Sequence, residues 1–186
     1  MKRFQFLLLD AGPIIKLFEL GIWEAFLNTC DVAVARTVAE HEVVFAATDF
    51  GKDFLEFGLA SWEEKGLISI VDVDVPIVKA FHNRFDAAYR EMIHAGEEET
   101  LAFVCGSHKQ WLVCAADGAV FRVLGLLGRG DQGISLEEVL QAVGLAKRLE
   151  YQFTKRFRER YTRLGASDSI QGTGLNRSDR DNRPGR

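Results

Sequence analysis

Phe4-Gln5-Phe6-Leu7-Leu8-Leu9-Asp10-Ala11-Gly12-Pro13-Ile14-Ile15-Lys16-Leu17-Phe18 is the stretch on which the fold turns. Phe4 to Leu9 is apolar apart from Gln5 and does not alternate, which is the pattern of a strand covered on both faces. The run stops at Asp10. Gly12-Pro13 then opens a helix, because the fixed φ and missing N–H of proline suit the first helical position. Ile14, Ile15, Leu17, Phe18, Ile22, Trp23, Phe26 and Leu27 supply its broad apolar face.

Outward from this stretch the alternation of strand and helix continues. Asp31 to Arg36 reads as a second strand, followed by a helix from near Thr37. Leu67 to Val73 is rich in β-branched residues and reads as a strand. Pro76 starts a helix through Phe81, Phe85, Ala88, Tyr89 and Met92, which His94-Ala95-Gly96 breaks. A further helix runs from about Glu97 to Val104, and Trp111 to Ala116 forms a strand ending at Asp117. The aromatics between Thr48 and Trp62 fit neither period, so that segment receives no element. The expected class is α/β, a parallel sheet with right-handed crossovers. Such sheets place their sites at the carboxyl ends of strands, where both Asp10 and Asp117 stand.

Ser135-Leu136-Glu137-Glu138 has the form of a capping box, and a long helix is expected from there into the basic segment near Arg163. Gly165 to Arg186 is almost without apolar residues and is expected to be disordered. The expected division is an α/β domain over 1–146, a basic helix continuing from it over 147–164, and a tail over 165–186.

With 186 residues, 47% of them hydrophobic, the chain can bury one substantial core and is too short for two. Met1-Lys2-Arg3 precedes an apolar run, but Asp10 ends that run after about six residues, short of the roughly 7–15 of a signal-peptide core. No stretch approaches about 18 uninterrupted apolar residues, so a cytoplasmic protein without a membrane span is expected. Cys30, Cys105 and Cys114 lack CxxC spacing, and the four histidines form no HExxH or Cys/His cluster. Any metal is therefore expected to be held by oxygen.

Residues 1–146 carry 12 Lys and Arg against 22 Asp and Glu, whereas residues 147–163 carry 7 against 2. An acidic body with a basic appendage suggests a nucleic-acid partner, with Lys147, Arg148, Lys155, Arg156, Arg158 and Arg160 as the contacting residues. The same pattern also suits a solvated amphipathic helix.

Metal-dependent phosphodiester hydrolysis needs clustered carboxylates that hold Mg²⁺ or Mn²⁺, which in turn orients water and offsets phosphate charge. Carboxylates so placed repel one another unless a cation is present. Three motifs offer candidates in order: Leu7 to Leu17 with its Asp10-Ala11-Gly12-Pro13 turn; Gly96-Glu97-Glu98-Glu99-Thr100-Leu101-Ala102; and Leu112-Val113-Cys114-Ala115-Ala116-Asp117.

Together these motifs, over about residues 4–145, resemble the PIN-domain family, in the bacterial and archaeal branch with Asp-Ala-Gly-Pro and Gly-Glu-x-Glu signatures. The resemblance implies a three-layer sandwich whose central parallel sheet has four to five strands. It implies an Mg²⁺- or Mn²⁺-dependent endoribonuclease, often the toxin of a toxin–antitoxin pair. An RNA substrate, a cognate antitoxin and a homodimer follow as expected partners.

Residue by residue, Asp10, Glu99 and Asp117 match the catalytic, metal-binding acids, and Glu97 is a helper. Glu40 matches a further metal-binding acid at the start of the helix after the second strand, with Glu42 its alternative in a shifted register. Ordinary structural roles compete for each residue. Asp10 and Asp117 also suit turns, Glu97 and Glu98 suit a helix N-terminus, and Thr37-Val38-Ala39-Glu40 is itself a capping box. One departure stands out: Gly118-Ala119-Val120-Phe121 follows Asp117 where many relatives carry another acid, and Asp131 is a distant substitute. The alternative that follows is a catalytically degenerate PIN-like module that binds RNA or a protein without cutting.

Overall fold

The protein is described by a computed structural model covering residues 4–43 and 58–176. Five strands, β1 Phe4–Leu9, β2 Cys30–Ala35, β3 Ile68–Val71, β4 Leu112–Cys114 and β5 Gly133–Ile134, form one parallel sheet in the order β3-β2-β1-β4-β5. β1 lies at the centre, with Leu8 in register with Ala33 on one side and Val113 on the other. Its unbroken apolar run is thereby explained, since Leu7, Leu8 and Leu9 are all fully buried.

Alternate side chains of β1 feed two separate cores. Leu7 and Leu9 join a cluster with α1 Ala11–Glu19, α2 Trp23–Leu27, a π-helical turn Val38–Glu42, α3 Ala60–Glu64 and α8 Leu136–Ala142. Leu8 joins the opposite cluster with α4 Val75–His82, α5 Ala87–Met92, α6 Ala95–Gly106, α7 Gly118–Leu126 and α9 Lys155–Gln171. The fold is a three-layer α/β sandwich, as the sequence led us to expect.

Four connections differ from expectation. The helix expected from Gly12-Pro13 through Leu27 is two, α1 and α2, parted at Gly21 with its left-handed φ of 65°. The single helix expected from Pro76 to Met92 is two, α4 and α5. Asp86 caps the second by accepting the Tyr89 amide at 3.1 Å, while Phe85 bridges to Leu175. The helix opened by Ser135 stops at Ala142, because Gly144 adopts a left-handed φ of 76°. Residues 145–150 have no regular structure, and α9 is a separate helix whose N-cap, Thr154, accepts the Phe157 amide at 3.3 Å. That helix continues beyond the expected stop at 164. Small residues let it pack closely on α7, and the segment after it is fixed by Gly174 donating to Asp86 at 2.8 Å and by burial of Leu175. Low apolar content misleads here because close helix packing needs little side chain. The remaining tail residues, 177–186, lie outside the described residues, as do 48–57 of the segment left without an element. Among the described residues no helix is long and apolar enough to cross a membrane.

Candidate metal centre

The chain leaves β1 to build β2 and β3 on one side, then returns to place β4 on the other side of β1. Crossovers on opposite sides make the carboxyl ends of these two strands the usual ligand position in an open parallel sheet. Asp10 ends β1 there, its amide donating to the Cys114 carbonyl at 3.0 Å. Only 6% of Asp10 is exposed, and its Oδ1 has no hydrogen-bond partner. Asp117 follows β4 and caps α7, where its Oδ1 accepts the Ala119 amide at 2.8 Å.

The three consecutive glutamates of α6 diverge. Glu97 is buried and accepts the His94 amide at 3.0 Å; Glu98 pairs with His82 at 2.5 Å; Glu99 accepts the Thr37 amide at 2.8 Å. Residues two apart on an α-helix are about 200° apart around its axis, so Glu97 and Glu99 cannot face the same point. The expected ranking is reversed. Glu97 joins the acid cluster, and Glu99 satisfies an orphan amide at the start of the helix after β2.

The engagement of Glu99 also corrects the reading of Glu40. No capping box forms at Thr37; Glu40 is exposed and pairs with Arg36 at 2.8 Å. Glu42, two residues on, turns inward, and its Oε1 accepts the Gly96 amide at 3.1 Å. The widened π-turn carries Glu42 to the cleft, so the shifted register is the one the fold adopts.

Asp10, Glu42, Glu97 and Asp117 therefore act on one another. Burial, then the charge of Glu42, pushes the Asp10 carboxyl up to about 7, with Asp117 adding to the rise and the Ala11 amide opposing it. Burial first raises Glu97 to about 8, with Asp117, Asp10 and Glu42 adding to it against the His94 amide. A pocket that makes its own carboxylates costly to ionise, and leaves one buried oxygen unpartnered, suits a hard divalent cation with oxygen ligands.

The rim of the cleft is mixed in character. His94, Glu97 and Asp117 each offer a ligand atom within 4.8 Å of the others. Tyr161 of α9 packs over Gly118, where an added Cβ would lie 2.5 Å from the ring, so the start of α7 needs glycine. Arg160 stands 5.8 Å from the Tyr161 ring centroid and also pairs with Tyr151. Arg156 and Arg160 are exposed, whereas Lys155 is 3.8 Å from Glu159. Arg158 is held by Glu138 at 2.8 and 3.0 Å and is mostly buried. Lys147 and Arg148 are exposed but lie in the connection before α9 rather than on a helix. Asp131 lies on the turn before β5, at the amino end of the strand, in a cleft with Ser107, His108 and Lys109. It cannot replace a missing acid at the carboxyl ends.

Glu42 was visible in the sequence only as a fallback, and Tyr161 carried no signal. His94 had one, the three-residue spacing to Glu97 that puts an N-cap residue beside the first turn of its helix. No family model matches the chain, and no curated protein matches it either.

Proposed function

We propose that this chain is a PIN-like, divalent-metal-dependent endoribonuclease whose acids are Asp10, Glu42, Glu97 and Asp117. The observation that carries the reading is the buried Asp10 side chain, whose Oδ1 has no hydrogen-bond partner and which feels the charges of Glu42 and Asp117 at the carboxyl ends of β1 and β4. A bound Mg²⁺ or Mn²⁺ would supply Lewis acidity toward a phosphate and activate water. Asp10, just beyond β1, and Asp117, at the N-cap of α7 beyond the adjacent β4, would hold that ion. Glu97 and Glu42 approach from the helices and add charge. Arg156 and Arg160 attract the phosphate backbone, and Tyr161 offers a ring face to an unpaired base beside the cleft.

The test is cleavage of single-stranded RNA by the purified chain in Mn²⁺, compared with Asp10→Asn and Asp117→Asn. Cleavage by wild type and loss of at least about a hundredfold in both variants is the expected result. Equal cleavage by Asp10→Asn would overturn the reading.

One observation favours a second reading, a module that binds RNA without cutting it. Gly118 to Phe121, where a further acid is missing, is fully packed into the core, so a second ion has fewer ligands there. Metal-independent RNA binding that weakens with salt and is lost on replacing Arg156 and Arg160, with no cleavage, is the outcome that distinguishes it.

A further inference from the structure

We propose that His94 supplies an imidazole ligand beside Glu97 and Asp117 at the mouth of the carboxylate cluster, selecting a first-row transition ion over Mg²⁺. The inference rests on the metal-centre reading and names the class of ion that centre takes. It also departs from the oxygen-only site that the scattered histidines suggest.

The geometry has three parts. Ligand atoms of His94, Glu97 and Asp117 lie within 4.8 Å of one another, and His94 Nδ1 is 3.6 Å from Glu97 Oε2. Donors around one ion at about 2.0–2.2 Å are at most about 4.4 Å apart, so a small side-chain rotation closes the site. The His94 side chain is 74% exposed and belongs to a capping box with Glu97, so the rotation exchanges a solvent-facing helix cap for the ion. The His94 backbone does not move with it. The His94 amide is bound by Glu97, and its extended φ and ψ of −82° and 165° are those of the N-cap of α6.

An independent observation marks the same cleft as a ligand site. Asp10 is more than nine-tenths buried, has an oxygen without a partner, and is close enough to Asp117 and Glu42 to feel their charges. Carboxylates alone suit Mg²⁺, which demands oxygen and gives up its water reluctantly. Adding one imidazole shifts the preference toward ions that accept nitrogen, such as Co²⁺.

The experiment uses the whole metal-free chain as wild type, His94→Gln and Asp10→Asn. Each is titrated calorimetrically with Co²⁺ and with Mg²⁺, and the Co²⁺ forms are examined by paramagnetic proton NMR. Wild type is expected to bind Co²⁺ at least about tenfold more tightly than Mg²⁺ and to show the shifted, exchangeable proton of a coordinated imidazole. His94→Gln should lose that resonance and about tenfold in Co²⁺ affinity while its Mg²⁺ affinity changes less than about twofold. An unchanged ratio of the two affinities in His94→Gln, with binding still abolished by Asp10→Asn, would overturn the role of His94 and leave the acid centre standing. Failure of wild type to bind either ion would overturn both.

Discussion

The Asp10 amide donates to the carbonyl of Cys114 at 3.0 Å, joining the ends of two strands that are about a hundred residues apart in the chain. That bond sets the position of the Asp10 carboxylate against Asp117, three residues beyond Cys114. Everything chemical in the cleft is built around this pair of strand ends.

Asp10 should therefore dominate ion binding. In millimolar Mn²⁺ a thermal melt of wild type should shift upward by several degrees, since an ion at about 100 times its Kd adds about 2.7 kcal/mol. Asp10→Asn should show no such shift, yet melt above metal-free wild type at pH 8 because a buried, repelled charge is gone. An equal Mn²⁺ shift in both proteins would contradict the assignment.

Stability without metal should fall as pH rises from about 4 to about 8. Asp10 is raised from 3.8 to about 7 and Glu97 from 4.5 to about 8, so across this window the folded state holds protons that the unfolded chain has released. Fewer protons bound when unfolded means a negative slope of unfolding free energy with pH, and the Asp10 shift alone is worth about 4 kcal/mol. Glu138 and Asp168, held below their ordinary values of 4.5 and 3.8, act in the opposite sense, at and below the lower edge of this window. In each, burial is outweighed, by Arg158 and Ser135 in one and by Arg122 and Tyr89 in the other. Urea unfolding in chelator at pH 5 and pH 8 measures the slope. A slope of the same size in Asp10→Asn would show that its origin is elsewhere.

Glu97 and Glu99 should separate cleanly. Glu99→Ala leaves the Thr37 amide without its acceptor and should cost about 1–3 kcal/mol while preserving the Mn²⁺-dependent rise in melting temperature. Glu97→Gln should lose that rise and remain folded. The reverse outcome, with ion binding lost in Glu99→Ala alone, would restore Glu99 as the ligand.

The arginines of α9 divide in the same way. Arg158→Ala breaks a two-point, mostly buried pair with Glu138 and should cost about 1–3 kcal/mol. Arg156→Ala and Arg160→Ala should stay within about 0.5 kcal/mol of wild type but weaken RNA binding and flatten its salt dependence by about one counterion each. Calorimetric stability and a salt titration of binding measure the two effects independently.

Local pattern was enough to determine the βαβ alternation, the doubly covered first strand and the placing of Asp10 and Asp117 at strand ends, because periodicity and turn chemistry are short-range properties. Gly144 and Thr154 were visible as residues, but not as the break that divides the last two helices. Which acids meet was a tertiary decision. Glu97 and Glu99 differ by two residues in sequence and by half a turn in space, and only the docking of α6 against the helix after β2 says which one faces the cleft. Glu42 displaced Glu40 because the π-turn after β2, which no local signal announced, leaves Glu40 exposed beside Arg36 and brings Glu42 to the Gly96 amide. His94 and Tyr161 reached the rim through helices packed from opposite parts of the chain. Side-chain direction at such a junction depends on helix phase and packing, and these are fixed only when the layers close.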